Sequence, residues 1–301
     1  MNIKVLTFEQ IVKDKAKPPK PIIDDGILLE NTILMIIGQH KTMKTFLALN
    51  MATAIASGKG FANFHINEKN RVMVLSAEGG YFPTKDRITK ITKGISSKYL
   101  NNILMPKYIN LKIDIDEDYE SLNELIDIYK PNVLIIDPLI RFHTQDENSS
   151  SGMGKVFTRI REIIKYKNIS IILIHHKGKD YSKGPRGSSV ISGEYDSAIF
   201  IDKKANGIHN FQYDMRHVKT PEAQSMIFNN DTFWFEVDNK KSQNDIIRDI
   251  VKSNDTIEKN DLVDELMKSQ EKSQSTVYKW IKRALEEKVI RIGKTDEIIL
   301  N

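Results

Sequence analysis

The stretch Gly38-Gln39-His40-Lys41-Thr42-Met43-Lys44-Thr45 decides the fold. It matches the phosphate-binding loop G-x4-G-K-S/T at every fixed position but one, since Met43 stands where glycine is usual. Before it, residues 33–37 form a continuous apolar run that reads as a buried strand. After it, residues 45–57 read as a helix. Strand, loop and helix in that order aim successive backbone N–H groups and the positive helix end at a phosphate. In such a loop Gly38, Gln39, His40, Lys41, Thr42 and Met43 wrap the phosphates of ATP. Lys44 bridges the β- and γ-phosphates, and Thr45 holds Mg²⁺ through its hydroxyl. Lys41 is a second cation, with phosphate contact and plain solvation both open to it. Met43 is expected to crowd a neighbour and give the loop a different shape.

Hydrolysis needs carboxylates as well as a cradle. Val133-Leu134-Ile135-Ile136-Asp137 is an apolar strand ending in an acid, so Asp137 is expected to order Mg²⁺ with Thr45. The strand at 71–76 runs into Ala77-Glu78-Gly79-Gly80. Glu78 is therefore a candidate base for the attacking water, and the glycines allow close backbone approach. The strand at 170–174 ends in His175-His176. The carboxyl ends of parallel strands are where α/β sheets bind ligands, so one of these histidines is expected to sense the γ-phosphate. A metal site is the weaker alternative, because no third ligand is evident.

The remaining pattern supports a mostly parallel sheet. Helices are expected at 83–94, 119–129 and 153–166 between the strands. Strands at 196–201, 211–215, 225–229 and 232–237 follow with little helix between them, which predicts an antiparallel extension at one edge. Alternation of strand and helix, with several strands apolar throughout, is the signature of an α/β sheet covered on both faces. Residues 1–31 read as a polar lead-in, extended around Pro18, Pro19 and Pro21.

A polar break at 240–244 ends this domain, giving boundaries of 1–241 and 242–301. Beyond it, helices at 245–252, 259–267 and 273–288 and strands at 289–292 and 297–300 form a winged helix-turn-helix pattern. In the third helix Val277, Trp280, Ile281, Ala284 and Leu285 make an apolar stripe, while Lys279, Lys282 and Arg283 lie on the other face. That basic face suits DNA contact. A protein-interaction role is the alternative, because acidic residues dilute the charge.

Composition narrows the classes. With 301 residues there is room for a large domain and a small one, and there is no cysteine. Disulfides, thiolate metal sites and a cysteine nucleophile are excluded, and a cytoplasmic setting is expected. No apolar run approaches the roughly 18–20 residues of a membrane span. The net charge of +5 fits a nucleic-acid partner and equally fits lysine-rich solubility.

Five blocks in order resemble the RecA-like ATPases of the RepA-type hexameric replicative helicases, over roughly residues 20–238. They are residues 38–45; Leu75-Ser76-Ala77-Glu78-Gly79-Gly80; Ile135-Ile136-Asp137-Pro138-Leu139 with Asp146-Glu147-Asn148; Ile174-His175-His176-Lys177-Gly178-Lys179; and Arg186-Gly187-Ser188-Ser189. The resemblance implies a RecA-like P-loop fold and a ring, hexameric in that group, with ATP between neighbours. It also implies a cation supplied by the adjacent subunit, for which Arg216 and Lys219 are the candidates. Lys177, Lys179, Lys183 and Arg186 form a basic loop able to track a single-stranded DNA backbone.

The expected activity is ATP-dependent DNA unwinding or translocation in the replication of a plasmid, phage or mobile element. Two rivals stand beside it: a filament-forming recombination ATPase, and a nucleotide-gated DNA-binding regulator.

Overall fold

The computed structural model describes residues 4–176, 189–204, 206–238, 243–293 and 297–301. The chain divides into two compact units, Met1–Val237 and Asp238–Asn301.

In the first unit the elements run α1 (Phe8–Val12), β1 (Pro21–Ile23), β2 (Leu28–Leu29), β3 (Ile33–Gly38), α2 (Lys44–Ser57), β4 (Val72–Ser76), α3 (Tyr81–Ile91), α4 (Ser97–Leu100) and β5 (Ile103–Leu104). There follow α5 (Asp116–Tyr129), β6 (Val133–Asp137), α6 (Ser150–Lys167), β7 (Ser170–His176), α7 (Ser189–Glu194), β8 (Ser197–Lys203), β9 (His209–Met215), β10 (Gln224–Phe228) and β11 (Phe235–Val237). Nine strands form one sheet in the order β11-β10-β9-β8-β3-β7-β6-β4-β5. From β8 to β5 every pair is parallel; β9, β10 and β11 add on antiparallel. The antiparallel extension thus sits at the β8 edge.

Alternate strand residues face two cores, as a period of two requires. Leu34, Ile36, Val74, Ile135, Ile172 and Ile174 pack towards α2. Ile33, Met35, Ile37, Leu134, Ile136 and Leu173 pack with Leu122 and Ile126 of α5 and Phe157 and Ile160 of α6. Helix α2 is apolar around most of its circumference: Leu47, Ala48, Met51, Ala52, Ala54, Ile55 and Ala56 are all buried. A helix of that kind must be covered on its outer side too, and α3 and α4 cover it.

The lead-in expected at 1–31 is corrected. Ile22, Ile23, Ile27 and Leu28 are buried in the core beside α2, on the antiparallel hairpin of β1 and β2. The short apolar pairs are split by Asp24-Asp25-Gly26, which turns the chain: Asp25 and Gly26 both have positive φ. Helix α3 starts two residues before the expected 83, directly after Gly80, whose φ of 69° and ψ of 174° suit glycine. Helix α6 also starts early, because the Ser149 hydroxyl caps it by accepting from the Gly152 N–H.

The second unit holds α8 (Gln243–Asn254), β12 (Ile257–Glu258), α9 (Lys259–Gln270), α10 (Gln274–Glu286), β13 (Ile290–Ile292) and β14 (Glu297–Leu300). Its strands pair antiparallel in the order β12-β14-β13, one strand more than expected. Val277, Ile281 and Ala284 of the apolar stripe are buried with Ile247, Leu262, Leu266 and Ile298; Trp280 and Leu285 are partly so. This core draws only on residues of its own unit. Removing residues 242–301 is therefore expected to leave a chain that melts cooperatively and still turns over ATP. Circular dichroism melting checks this, and a collapsed core would place the boundary elsewhere.

Candidate nucleotide site

The carboxyl ends of β3, β4, β6 and β7 lie side by side, and their register sets the site. Gly38 pairs with His176, Ile37 with His175, and Ser76 with Asp137. Four adjacent parallel strands therefore deliver the loop, both carboxylates and both histidines to one edge.

The loop is tightly folded. A Cβ on Gly38 would come within 2.6 Å of Thr42 Oγ1 and 2.7 Å of the Ile201 carbonyl oxygen, so only glycine fits there. The Thr42 hydroxyl donates to the Gln39 carbonyl at 2.9 Å. Lys41 and Met43 both adopt φ of 64°. Met43 is the residue just before α2, with ψ of 24°, in the left-handed region. This explains the usual glycine. The side chain packs against the apolar core around α2, and the cost falls on the backbone, roughly 1–2 kcal/mol for a residue with a Cβ.

Lys44 is buried. Its Nζ donates to the carbonyls of Gly38 at 2.9 Å and Gln39 at 2.6 Å. Burial lowers its pKa to about 8, against the opposing pull of Asp137 and Glu78. Asp137 is 3% exposed. Burial pushes its pKa up to about 6; a hydrogen bond from the Thr45 side chain opposes this, Glu78 adds to it, and Lys44 and Arg87 work against it. The Thr45 side chain thus stands beside the Asp137 carboxylate. A hydroxyl and one carboxylate fit Mg²⁺, which usually takes one or two carboxylates with substrate phosphates and water. Among the described residues no cluster of three or more His, Asp or Glu forms a metal site without a ligand's help.

The folded pKa of Asp137, about 6, lies above the ordinary carboxylate value of 3.8. The folded state holds the proton longer, so stability is greatest below the unfolded value and falls as pH rises from there through about 6. At neutral pH the ionised carboxylate costs up to about 3 kcal/mol. Asp137→Asn is therefore expected to raise the melting temperature at pH 7.5 and to lose Mg²⁺-dependent turnover. An unchanged melting temperature would contradict the burial account.

Glu78 lies two residues beyond the end of β4, and its neighbour Ala77 donates its N–H to the Asp137 carbonyl at 3.0 Å. The Glu78 carboxylate is half-exposed, with Arg141 Nε at 3.6 Å. Arg87 stands over the Phe46 ring at 5.1 Å and against Gly79, where its Nη1 is 3.4 Å from the position a Cβ would take. His176 stacks on His40 of the loop, with ring centroids 4.1 Å apart and planes at 24°. His175 is buried, its Nδ1 3.4 Å from Glu147 Oε1. A strand end is thereby coupled to the loop through His176 and to the segment after β6 through His175.

Arg87, Arg141 and Glu147 carry no role in the sequence reading. Arg87, within α3, and Arg141, in the short 3-10 helix after β6, lie nine and four residues beyond a site carboxylate, a spacing with no motif of its own. Glu147 falls inside one of the five blocks, and only the fold brings it to His175.

Arg216 and Lys219 lie away from this edge. Met215 pairs with Ser197, whereas Lys203 pairs with His209. Strand β9 therefore ends where β3 and β8 begin, opposite the phosphate loop. Arg216 Nη2 donates to the Gly193 carbonyl at 2.6 Å, and Lys219 sits in a shallow pocket with Asp25, Gly26 and Glu222. Neither residue reaches the loop of its own chain, so any role in hydrolysis must be played on a neighbour. Lys177, Lys179, Lys183 and Arg186 lie outside the described residues.

On α10, Lys282 pairs with Glu286 at 3.9 Å and Arg283 with Glu287 at 2.7 Å. The second unit carries thirteen basic and thirteen acidic residues, so the chain's excess of positive charge lies entirely in the first unit. Of the three cations expected to contact DNA there, Lys279 alone has no acid within ion-pair distance among the described residues.

The sheet order, the loop between β3 and α2, and the carboxylate at the end of β6 define a P-loop ATPase domain of RecA-like fold. The chain is similar in structure to the RadB recombinase, with a TM-score of 0.51 and 16% identity over 69% of this chain and 91% of that one. It is likewise similar to a second solved structure, described as an ATPase domain, with a TM-score of 0.51 and 13% identity over 69% of this chain and 85% of that one. Residues 2–182 match the family described as AAA domain, and the chain belongs to that family.

Proposed function

We propose that the chain is an ATP-driven DNA helicase or translocase, acting in the replication of a plasmid, phage or mobile element. ATP with Mg²⁺ binds at residues 38–45, Thr45 and Asp137 order the ion, and Glu78 activates water. His175 and His176 relay the state of the γ-phosphate, and Arg216 with Lys219 serves the site of the next subunit in a ring, expected to be a hexamer. The observation that carries this reading is the convergence of Lys44, Thr45, Asp137 and Glu78 on one sheet edge, with His176 stacked on the loop.

The link to DNA rests on that strand end. The basic sequence 177–186 follows His176 without a break, so a shift of β7 on hydrolysis would be passed straight into cations able to hold a single strand. The C-terminal unit is proposed as a winged helix. Its balanced charge and paired cations favour a protein contact over DNA, which needs an unneutralised basic surface. No helix among the described residues is long and apolar enough to cross a membrane.

Strand displacement on forked DNA, with sedimentation of the same sample, tests the proposal. ATP-dependent unwinding by a ring is the expected result. ATP turnover without unwinding would favour a recombinase or a nucleotide-gated regulator.

A further inference from the structure

Positive charge is concentrated in one stretch of this chain. Residues 59–112 carry ten Lys and Arg against three acids, and residues 87–113 carry six cations with no acid at all. The rest of the chain has two more acids than bases, so a general lysine enrichment for solubility does not account for the net +5. Folded, the stretch supplies α3, α4 and the edge strand β5, the flank of the large sheet remote from β11. Lys59, Lys69, Lys85, Lys98 and Lys107 are exposed there, with no acid within ion-pair distance among the described residues. Lys282 and Arg283 of the second unit, by contrast, are paired.

These lysines form two clusters, one at each end of β5, and each is built around aromatic rings. At the amino end, Lys69 and Lys98 lie over the Tyr99 ring at 5.0 and 4.9 Å. A hydrogen bond from Lys98 and the charges of Lys98, Lys69 and Lys59 hold the Tyr99 phenol below its ordinary range. Three like charges gathered without an acid repel one another, and a bound anion relieves that repulsion. At the carboxyl end, a groove of about 490 Å³ lies between α3 and the segment after β5, with Ile88 and Met105 inside and Lys85 and Lys107 at its sides. Lys107 stands over the rings of Tyr81 at 5.1 Å and Tyr108 at 5.5 Å. Phe82 packs edge-on against Tyr81 at 5.4 Å. Phe82 and Tyr108 are nevertheless 77% and 79% exposed. Large rings held out in water together mark a contact surface.

We propose that this flank is a second binding surface for single-stranded DNA, holding the strand that unwinding displaces. The unpaired lysines at both ends of β5 meet phosphates and release their counterions. Phe82 and Tyr108 stack on bases, which every base permits whatever the sequence. Bases inside a duplex offer no free face, so exposed rings among cations favour a single strand over a duplex. An acidic protein would satisfy the lysines and leave the rings uncovered. Residues 99 and 107 are at most roughly 29 Å apart along the chain, so a few nucleotides reach from one cluster to the other. The inference rests on the helicase reading: separated strands need two places, and the basic sequence 177–186 supplies one.

Fluorescence anisotropy of the full chain, with Mg²⁺ and a non-hydrolysable ATP analogue, tests it on a fork with two single-stranded tails and on the same duplex with one tail. The wild-type chain is expected to bind the two-tailed fork at least about tenfold more tightly. Lys85→Glu with Lys107→Glu is expected to abolish that gain and to lower the salt slope by about 1.4, for two lost phosphate contacts. Turnover stimulated by a plain single strand should be unchanged in this variant. Lys69→Glu with Lys98→Glu is expected to act in the same way from the other end of β5. Phe82→Ala with Tyr108→Ala is expected to abolish the gain with the salt slope unchanged. No gain from the second tail in the wild type would overturn the surface and leave the helicase reading standing. An undiminished gain in any of the three variants would do the same and leave the flank to an acidic protein. Loss of stimulated turnover together with the gain would make this the tracked strand's own site and overturn its assignment to the displaced strand. Wild-type turnover that ignores single strands would overturn the helicase reading itself. If a charge-reversed pair melts early, the corresponding alanine pair takes its place in the same measurements.

Discussion

Lys44→Ala is expected to abolish ATP turnover while the chain still folds. Lys44 is the buried cation of the loop, held by the Gly38 and Gln39 carbonyls between Asp137 and Glu78. Burial lowers its pKa to about 8, so the charge is held there at a cost to stability. Losing one preorganised donor of this kind already lowers turnover by about 10²–10³-fold, and Lys44 also supplies the loop's buried charge, so turnover should fall below detection. The substitution removes a desolvated charge, and the melting temperature should hold. Phosphate release and circular dichroism check both parts. Undiminished turnover would remove residues 38–45 from the mechanism.

Glu78→Gln is the second large effect, and it separates binding from chemistry. The amide keeps the shape of the side chain and its place beside Asp137 but cannot accept a proton from water. Loss of a positioned base costs about 10²–10⁴-fold in turnover. Nucleotide affinity should be unchanged, because Glu78 is half-exposed and its pairing with Arg141 is a surface contact worth at most about 1 kcal/mol. Calorimetric titration alongside turnover measures the two separately. Loss of binding instead of turnover would assign Glu78 a structural role.

Much of this site was legible in the sequence. Apolar runs of five or six residues, each ending in a chemically distinctive group, can be read as inner strands of a parallel sheet. Such strands must bring their carboxyl ends together, and this placed Gly38, Glu78, Asp137 and His175-His176 on one edge. The β1–β2 hairpin was not legible: Ile22-Ile23 before Asp24-Asp25-Gly26 and Ile27-Leu28-Leu29 after it are too short to give a period to read. Arg87 and Arg141 were missed because their place beside Glu78 and Asp137 depends on how α3 and the segment after β6 fold back, which no local spacing encodes. The distance of Arg216 and Lys219 from the loop follows from the reversal of β9: the antiparallel extension is expected from the missing helices, but its consequence, that residues after β9 lie at the edge opposite the loop, needs the strand pairing. Met43 was legible only as an oddity. Its left-handed backbone shows that the loop keeps the shape a glycine would allow and carries the strain instead.

This edge is proposed as the catalytic centre of an ATPase whose turnover is linked to DNA. Steady-state ATP hydrolysis with Mg²⁺, measured with and without single-stranded DNA, tests it most directly. The prediction is Mg²⁺-dependent turnover that rises when the strand is added and vanishes in Lys44→Ala. Nucleotide binding with no hydrolysis under either condition would contradict it.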